Sequence, residues 1–124
     1  MKKKVCLFVA MFSIATVVLS AEAINLKTGK FACASLNYKM EFISFAAAIT
    51  GKNTGGNVYL KEGLQSVAMG TYSISGSRLV VEFGWATGSA AGLRNQTRMF
   101  LIEDTETFYA PGNEEEVWFF LSSY

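Results

Sequence analysis

From Leu36 onward, apolar residues fall at every second position over several separate stretches, and this period constrains the fold more than any other feature of the chain. Leu36, Tyr38, Met40 and Phe42 alternate with Asn37, Lys39 and Glu41; Leu79, Val81, Phe83 and Trp85 alternate with Val80, Glu82 and Gly84. A period of two sends successive side chains to opposite faces of a strand, whereas an amphipathic helix requires apolar residues three and four apart. In Val117–Leu121 both registers are apolar, because Trp118 and Phe120 lie between Val117, Phe119 and Leu121. That strand is either covered on both faces or has a wet face that is still aromatic. Shorter runs occur at Val58–Lys61, Val67–Ile74, Arg98–Glu103 and Thr107–Ala110.

Turn chemistry separates these runs. Gly51–Asn57 supplies glycine and asparagine for positive-φ positions, Ser75-Gly76-Ser77 predicts a tight hairpin, and Glu103–Glu106 and Pro111-Gly112-Asn113 mark two further turns. Helix competes only over Ile43–Ile49, where three consecutive alanines have high helix propensity. Roughly seven or eight short strands joined by hairpin-length turns predict an all-β fold, an antiparallel meander that must protect its edges by closing or by adding a second sheet. A small barrel is the first expectation, and a two-sheet β-sandwich is the alternative.

The strands follow an export-type leader. Met1-Lys2-Lys3-Lys4 precedes the apolar run Val5–Leu19, and Ala21-Glu22-Ala23 has the small-x-small spacing of a cleavage site. The run is shorter than the about 20 apolar residues of a membrane span. Residues 1–23 are therefore expected to be a cleaved signal peptide, 24–124 a single β domain, and the product periplasmic or secreted, with no stable membrane insertion after processing. Intact-mass measurement of exported material should show a chain beginning at Ile24; retention of Met1–Lys4 in a membrane fraction would contradict this.

Composition removes most chemistry from the domain. The chain has no histidine, and Cys33 is the one cysteine beyond the leader. Histidine-based nucleophilic catalysis and Cys/His zinc sites are thereby excluded, as is an intramolecular disulfide. No Ser-x-x-Lys spacing occurs beyond residue 23, and nothing marks a pair among the scattered carboxylates. The expectation is no enzyme activity, no catalytic or metal residues and no cofactor. Of the 11 basic and 10 acidic residues, Lys2, Lys3, Lys4 and Glu22 fall in the leader, leaving a balance of −1. A near-neutral domain without a basic stripe lacks the phosphate-neutralising charge that nucleic-acid binding requires. Cys33, with no cation beside it in the sequence, reads as a small buried hydrophobe.

The longest stretch without alternation, Gly84–Thr97, is the candidate contact loop. Trp85 would act as an aromatic anchor, with Arg94 and Arg98 as clamps for an anionic or polar group. The acidic run Glu114-Glu115-Glu116 reads as a device that keeps a turn soluble beside an aromatic strand.

Three short segments are similar to those of small bacterial lipocalin-like exported domains. Gly29-Lys30-Phe31 resembles their Gly-x-Trp opening, with Phe in the Trp place. The hairpin from Gly70-Thr71-Tyr72 through Gly76-Ser77-Arg78-Leu79 resembles their Gly-x-Tyr…Gly-x-x-Leu pattern, and Thr107-Phe108…Val117-Trp118-Phe119 suits their closing hairpin. The resemblance implies an up-and-down barrel that binds a small apolar ligand or a partner protein. The expected function is a non-enzymatic binding protein holding a small apolar ligand or peptide. The alternative is an inhibitor or immunity-type protein that blocks an extracytoplasmic enzyme through exposed loops; a coat-like subunit is a third class.

Overall fold

The structure, a computed structural model, describes residues 24–123; the leader and cleavage site expected over residues 1–23 lie outside the described residues. Eight strands follow one another in chain order: β1 Gly29–Cys33, β2 Lys39–Ile43, β3 Gly55–Glu62, β4 Gln65–Ser75, β5 Arg78–Ala86, β6 Gln96–Asp104, β7 Thr107–Tyr109 and β8 Val117–Ser122. Each pairs antiparallel with the next, and β8 returns to β1 through Phe31↔Phe120, Ala32↔Phe119 and Cys33↔Trp118. The meander is thus a closed barrel and not a sandwich, and closure leaves no outermost strand.

The predicted turns fall where expected, except that Gly55–Asn57 of the expected Gly51–Asn57 turn already belong to β3. Gly76, at φ 64, takes the first central position of the two-residue β4–β5 hairpin, where a positive φ matches the strand twist. A single helical turn, α1 Phe45–Thr50, occupies the alanine run; Ser44 caps it by accepting from the Ala47 amide, and Gly51 ends it at φ 78.

The interior is aromatic. Phe31, Phe42, Phe100, Phe108 and Trp118 are all fully buried. Phe108 is the hub: it meets Phe31, Phe42 and Phe100 at centroid distances of 5.2, 5.7 and 5.2 Å, and stacks on Trp118 at 5.9 Å with an interplanar angle of 11°. In β8, Trp118 is buried and Phe120 packs against the core, while Phe119 and Leu121 stand half-exposed outside. The strand therefore has a wet face that is aromatic.

Alternation fails at two places. Leu36 is half-exposed in the β1–β2 turn, because β2 begins only at Lys39. Trp85, in phase with Leu79, Val81 and Phe83 by sequence, lies on the outer face and is 41% exposed. Met69 pairs with Trp85 but Gly70 pairs with Phe83, so Gly84 is the extra residue of a bulge that inverts the strand beyond it. Gly70 permits the bulge, since the carbonyl oxygen of Glu82 lies where a Cβ would be.

The segment Ile24–Thr28, preceding β1, plugs one end of the barrel. Leu26 is 1% exposed, and the buried Asn53 side chain fixes it by donating Nδ2–H to the Leu26 carbonyl at 2.9 Å. Asn53 Oδ1 in turn accepts from the Tyr72 hydroxyl at 2.6 Å, while the Lys27 amide donates to the Thr105 carbonyl. Outside the plug, Lys27 pairs with Glu106 and lies over the Phe120 ring.

Burial pushes the Tyr72 hydroxyl up to about 12 from its ordinary 10.0. The unfolded chain releases this proton first, so the stability from neutral Tyr72 is complete below pH 10 and declines as pH rises through 12, by roughly 1.4 kcal/mol per unit at most. Denaturant titrations across this window should show a decline that Tyr72→Phe reduces. Tyr72→Phe should itself cost about 1–3 kcal/mol at neutral pH, because Asn53 Oδ1 loses its buried donor. An identical alkaline decline in both proteins would contradict the assignment.

Candidate functional site

The other end of the barrel carries a cavity instead of a plug. Four connections surround it: the β1–β2 turn, the β3–β4 turn, the β5–β6 connection and the β7–β8 loop. Met40, Leu60, Phe83, Phe100 and Trp118, projecting inward from the strands, form an apolar floor. The cavity measures about 280 Å³, near the lower limit of the roughly 300–1,000 Å³ typical of small-molecule sites. Two wider depressions lie on the surface, about 410 Å³ against the Asn25–Thr28 plug and about 370 Å³ over the Gly70 bulge. Their linings are about as polar as apolar, in contrast to the mostly apolar mouth cavity.

Much of the candidate contact loop is regular structure. Gly84–Ala86 belong to β5, and Gln96 and Thr97 to β6; between them Gly88–Leu93 forms a 3-10 turn that folds over the mouth. The small residues of Gly88-Ser89-Ala90-Ala91-Gly92 let this segment approach the chain's own barrel. Ala90 is buried, Leu93 packs against the core, and the Thr87 amide bonds to the Val67 carbonyl at 2.8 Å. The rim holds the segment through a relay: the Tyr38 hydroxyl donates to Ser89 Oγ at 2.8 Å, and Ser89 donates to Glu62 Oε1 at 2.9 Å.

The three candidate residues occupy three different places. Trp85 is outside, paired across the strands with the half-exposed Met69. Arg94 braces its own loop, with Nε and Nη2 both donating to the Ala86 carbonyl at 3.2 and 2.9 Å. Arg98 alone reaches the cavity, sharing the inward face of β6 with Phe100 and Ile102.

Arg98 meets a partner that the acidic-run reading did not anticipate. Glu116 is 6% exposed and lines the cavity, where its Oε1 accepts from Arg98 Nη2 at 2.9 Å and its Oε2 accepts from the Trp118 indole at 3.1 Å. Its backbone carbonyl accepts from the Ala110 amide, so the loop is already in strand phase at Glu116. The available signal was parity: Glu116, Trp118 and Phe120 are two residues apart and share one face. β7 pairs with β6 only from Leu101 to Asp104, so Arg98 lies beyond that pairing, where its side chain meets Glu116.

Cys33 is buried at the same end, as its sequence context predicts, with Sγ 3.3 Å from Ser35 Oγ. Ser35 donates to the Glu115 carbonyl, which ties the β1–β2 turn to the β7–β8 loop. Chemically, this end of the barrel offers a small apolar chamber with one compensated ion pair in its wall. Comparison with protein-family models, with curated proteins and with solved structures finds no match.

Proposed function

We propose that this chain is a non-enzymatic, lipocalin-like binding protein that acts in the periplasm or outside the cell and holds a small apolar ligand in the mouth cavity. The observation that carries this reading is the distribution of packing along the barrel axis. Leu26 and the aromatic cluster fill one end and the middle, whereas the mouth keeps an apolar chamber beneath a short segment of small residues. Burying apolar ligand surface there gains about 25 cal/mol per Å², and a largely preformed chamber limits the ordering cost. The rival reading, an inhibitor of a partner enzyme, draws on the outward Trp85 beside Met69; an exposed tryptophan is a common binding anchor.

Fluorescence titration with 1-aminonaphthalene, a neutral apolar dye of about the cavity's size, tests the proposal. Ala90→Leu projects extra volume into the chamber and should weaken dye binding at least about tenfold, the effect of roughly 1.4 kcal/mol. Trp85→Ala should leave it unchanged. Equal binding by Ala90→Leu, or loss of binding only in Trp85→Ala, would contradict the proposal.

A further inference from the structure

Resting on the mouth-cavity reading, we infer that the ligand is a neutral molecule of about ten non-hydrogen atoms carrying a carbonyl acceptor, such as a medium-chain lactone, ester or amide, with that oxygen bound by Arg98. Size comes from the chamber: an apolar cavity of about 150 Å³ accommodates benzene, so one of about 280 Å³ holds roughly twice as many non-hydrogen atoms, about ten.

Polarity comes from the ion pair. A guanidinium has five N–H donors, and Arg98 makes one side-chain hydrogen bond among the described residues, from Nη2 to Glu116. The Glu116 carboxylate is engaged through both oxygens, by Arg98 and by the Trp118 indole. The pair therefore has spare donors but no spare net charge. A ligand carboxylate would gain Arg98 while confronting Glu116, and an ammonium would gain Glu116 while confronting Arg98. Each would also shed its hydration in an apolar chamber, a cost the compensated pair does not offset. A carbonyl oxygen loses little hydration and accepts a charge-assisted hydrogen bond, which is stronger than a neutral one. A pure hydrocarbon would fill the chamber but make no use of those donors, which the part-exposed Arg98 side chain otherwise offers to water.

Displacement of 1-aminonaphthalene by γ-nonalactone, nonanoate, nonylamine and pentylbenzene separates these cases on the unmodified protein. The lactone should bind about tenfold or more tighter than the other three. Nonanoate, nonylamine or pentylbenzene binding as tightly as the lactone would overturn the neutral-carbonyl inference while leaving the cavity reading intact. Displacement by none of the four, or failure of the dye itself to bind, would overturn both. In the double variant Arg98→Met/Glu116→Met, which removes both charges together, adds no new donor and leaves a thioether as a weak acceptor for Trp118, the lactone should fall to the affinity of pentylbenzene. A preference that survives in this variant, with the fold verified by its NMR spectrum, would place the donor elsewhere and overturn the assignment to Arg98.

Discussion

Phe108→Ala is expected to destabilise the protein by about 3–5 kcal/mol, the range for removing a buried aromatic ring. A domain of about 100 residues loses roughly 4–8 °C per kcal/mol, so the melting temperature should fall by about 12 °C or more. The size of the effect follows from position as well as volume. β7 is three residues long, and Phe108 is its one fully buried side chain, flanked by the partly exposed Thr107 and Tyr109. It touches the rings of Phe31, Phe42, Phe100 and Trp118, from strands on both sides of the seam where β6, β7 and β8 complete the barrel. Deleting the ring removes contacts from four strands besides its own and weakens the shortest link in the wall. Calorimetric or denaturant unfolding measures the loss, and a cost below about 1 kcal/mol would contradict the packing described.

Gly70→Ala should be nearly as damaging, although it adds a single carbon. Its Cβ would lie 1.8 Å from the Glu82 carbonyl oxygen, 2.7 Å from the Glu82 carbonyl carbon and 2.9 Å from Phe83 Cα. All three are backbone atoms, so no change of rotamer relieves the clash, and β4 and β5 must separate. Overpacking of this kind costs about 1–3 kcal/mol and occasionally more. The separation should also alter the surroundings of Trp85, visible as a shift in its fluorescence. Gly84→Ala is the matched control: it lies in the same bulge, meets no atom within 4 Å and has no positive φ. Equal stability of the two variants would contradict the account of the bulge.

The contrast between these glycines shows where local pattern ends. The inward faces of Met40 and Phe42 and of Leu79, Val81 and Phe83 follow from period-two alternation, since a half-buried strand leaves little choice of face, whereas in β8 both registers are apolar and alternation does not choose between them. The Gly76 hairpin and the α1 turn also follow from short-range chemistry, a positive φ in one case and alanine propensity with a serine cap in the other. Trp85 escapes because its orientation depends on Gly70, which is 15 positions away in sequence and opposite in space. Glu116 escapes because a glutamate in an acidic run normally remains in water; it is buried only because Arg98 and Trp118 meet it from two other positions in the wall. The role of Gly88–Leu93 was half legible. Gly84–Thr97 stands out as the longest stretch without alternation, but its small residues bring it against the protein's own mouth, and the two arginines assigned to one clamp serve different ends. Arg94 holds the loop, and Arg98 faces the chamber.

NMR titration with 1-aminonaphthalene, following side-chain methyl groups at both ends of the barrel, tests most directly whether the mouth is the ligand site. Intermolecular contacts should appear at the methyl groups of Met40, Leu60 and Leu93, which line the chamber, and be absent at Leu26 in the plug, Ile49 on α1 and Leu121 on the outer wall. Contacts centred on Leu26, Ile49 or Leu121, or a saturating titration that leaves Met40, Leu60 and Leu93 unmoved, would contradict the account.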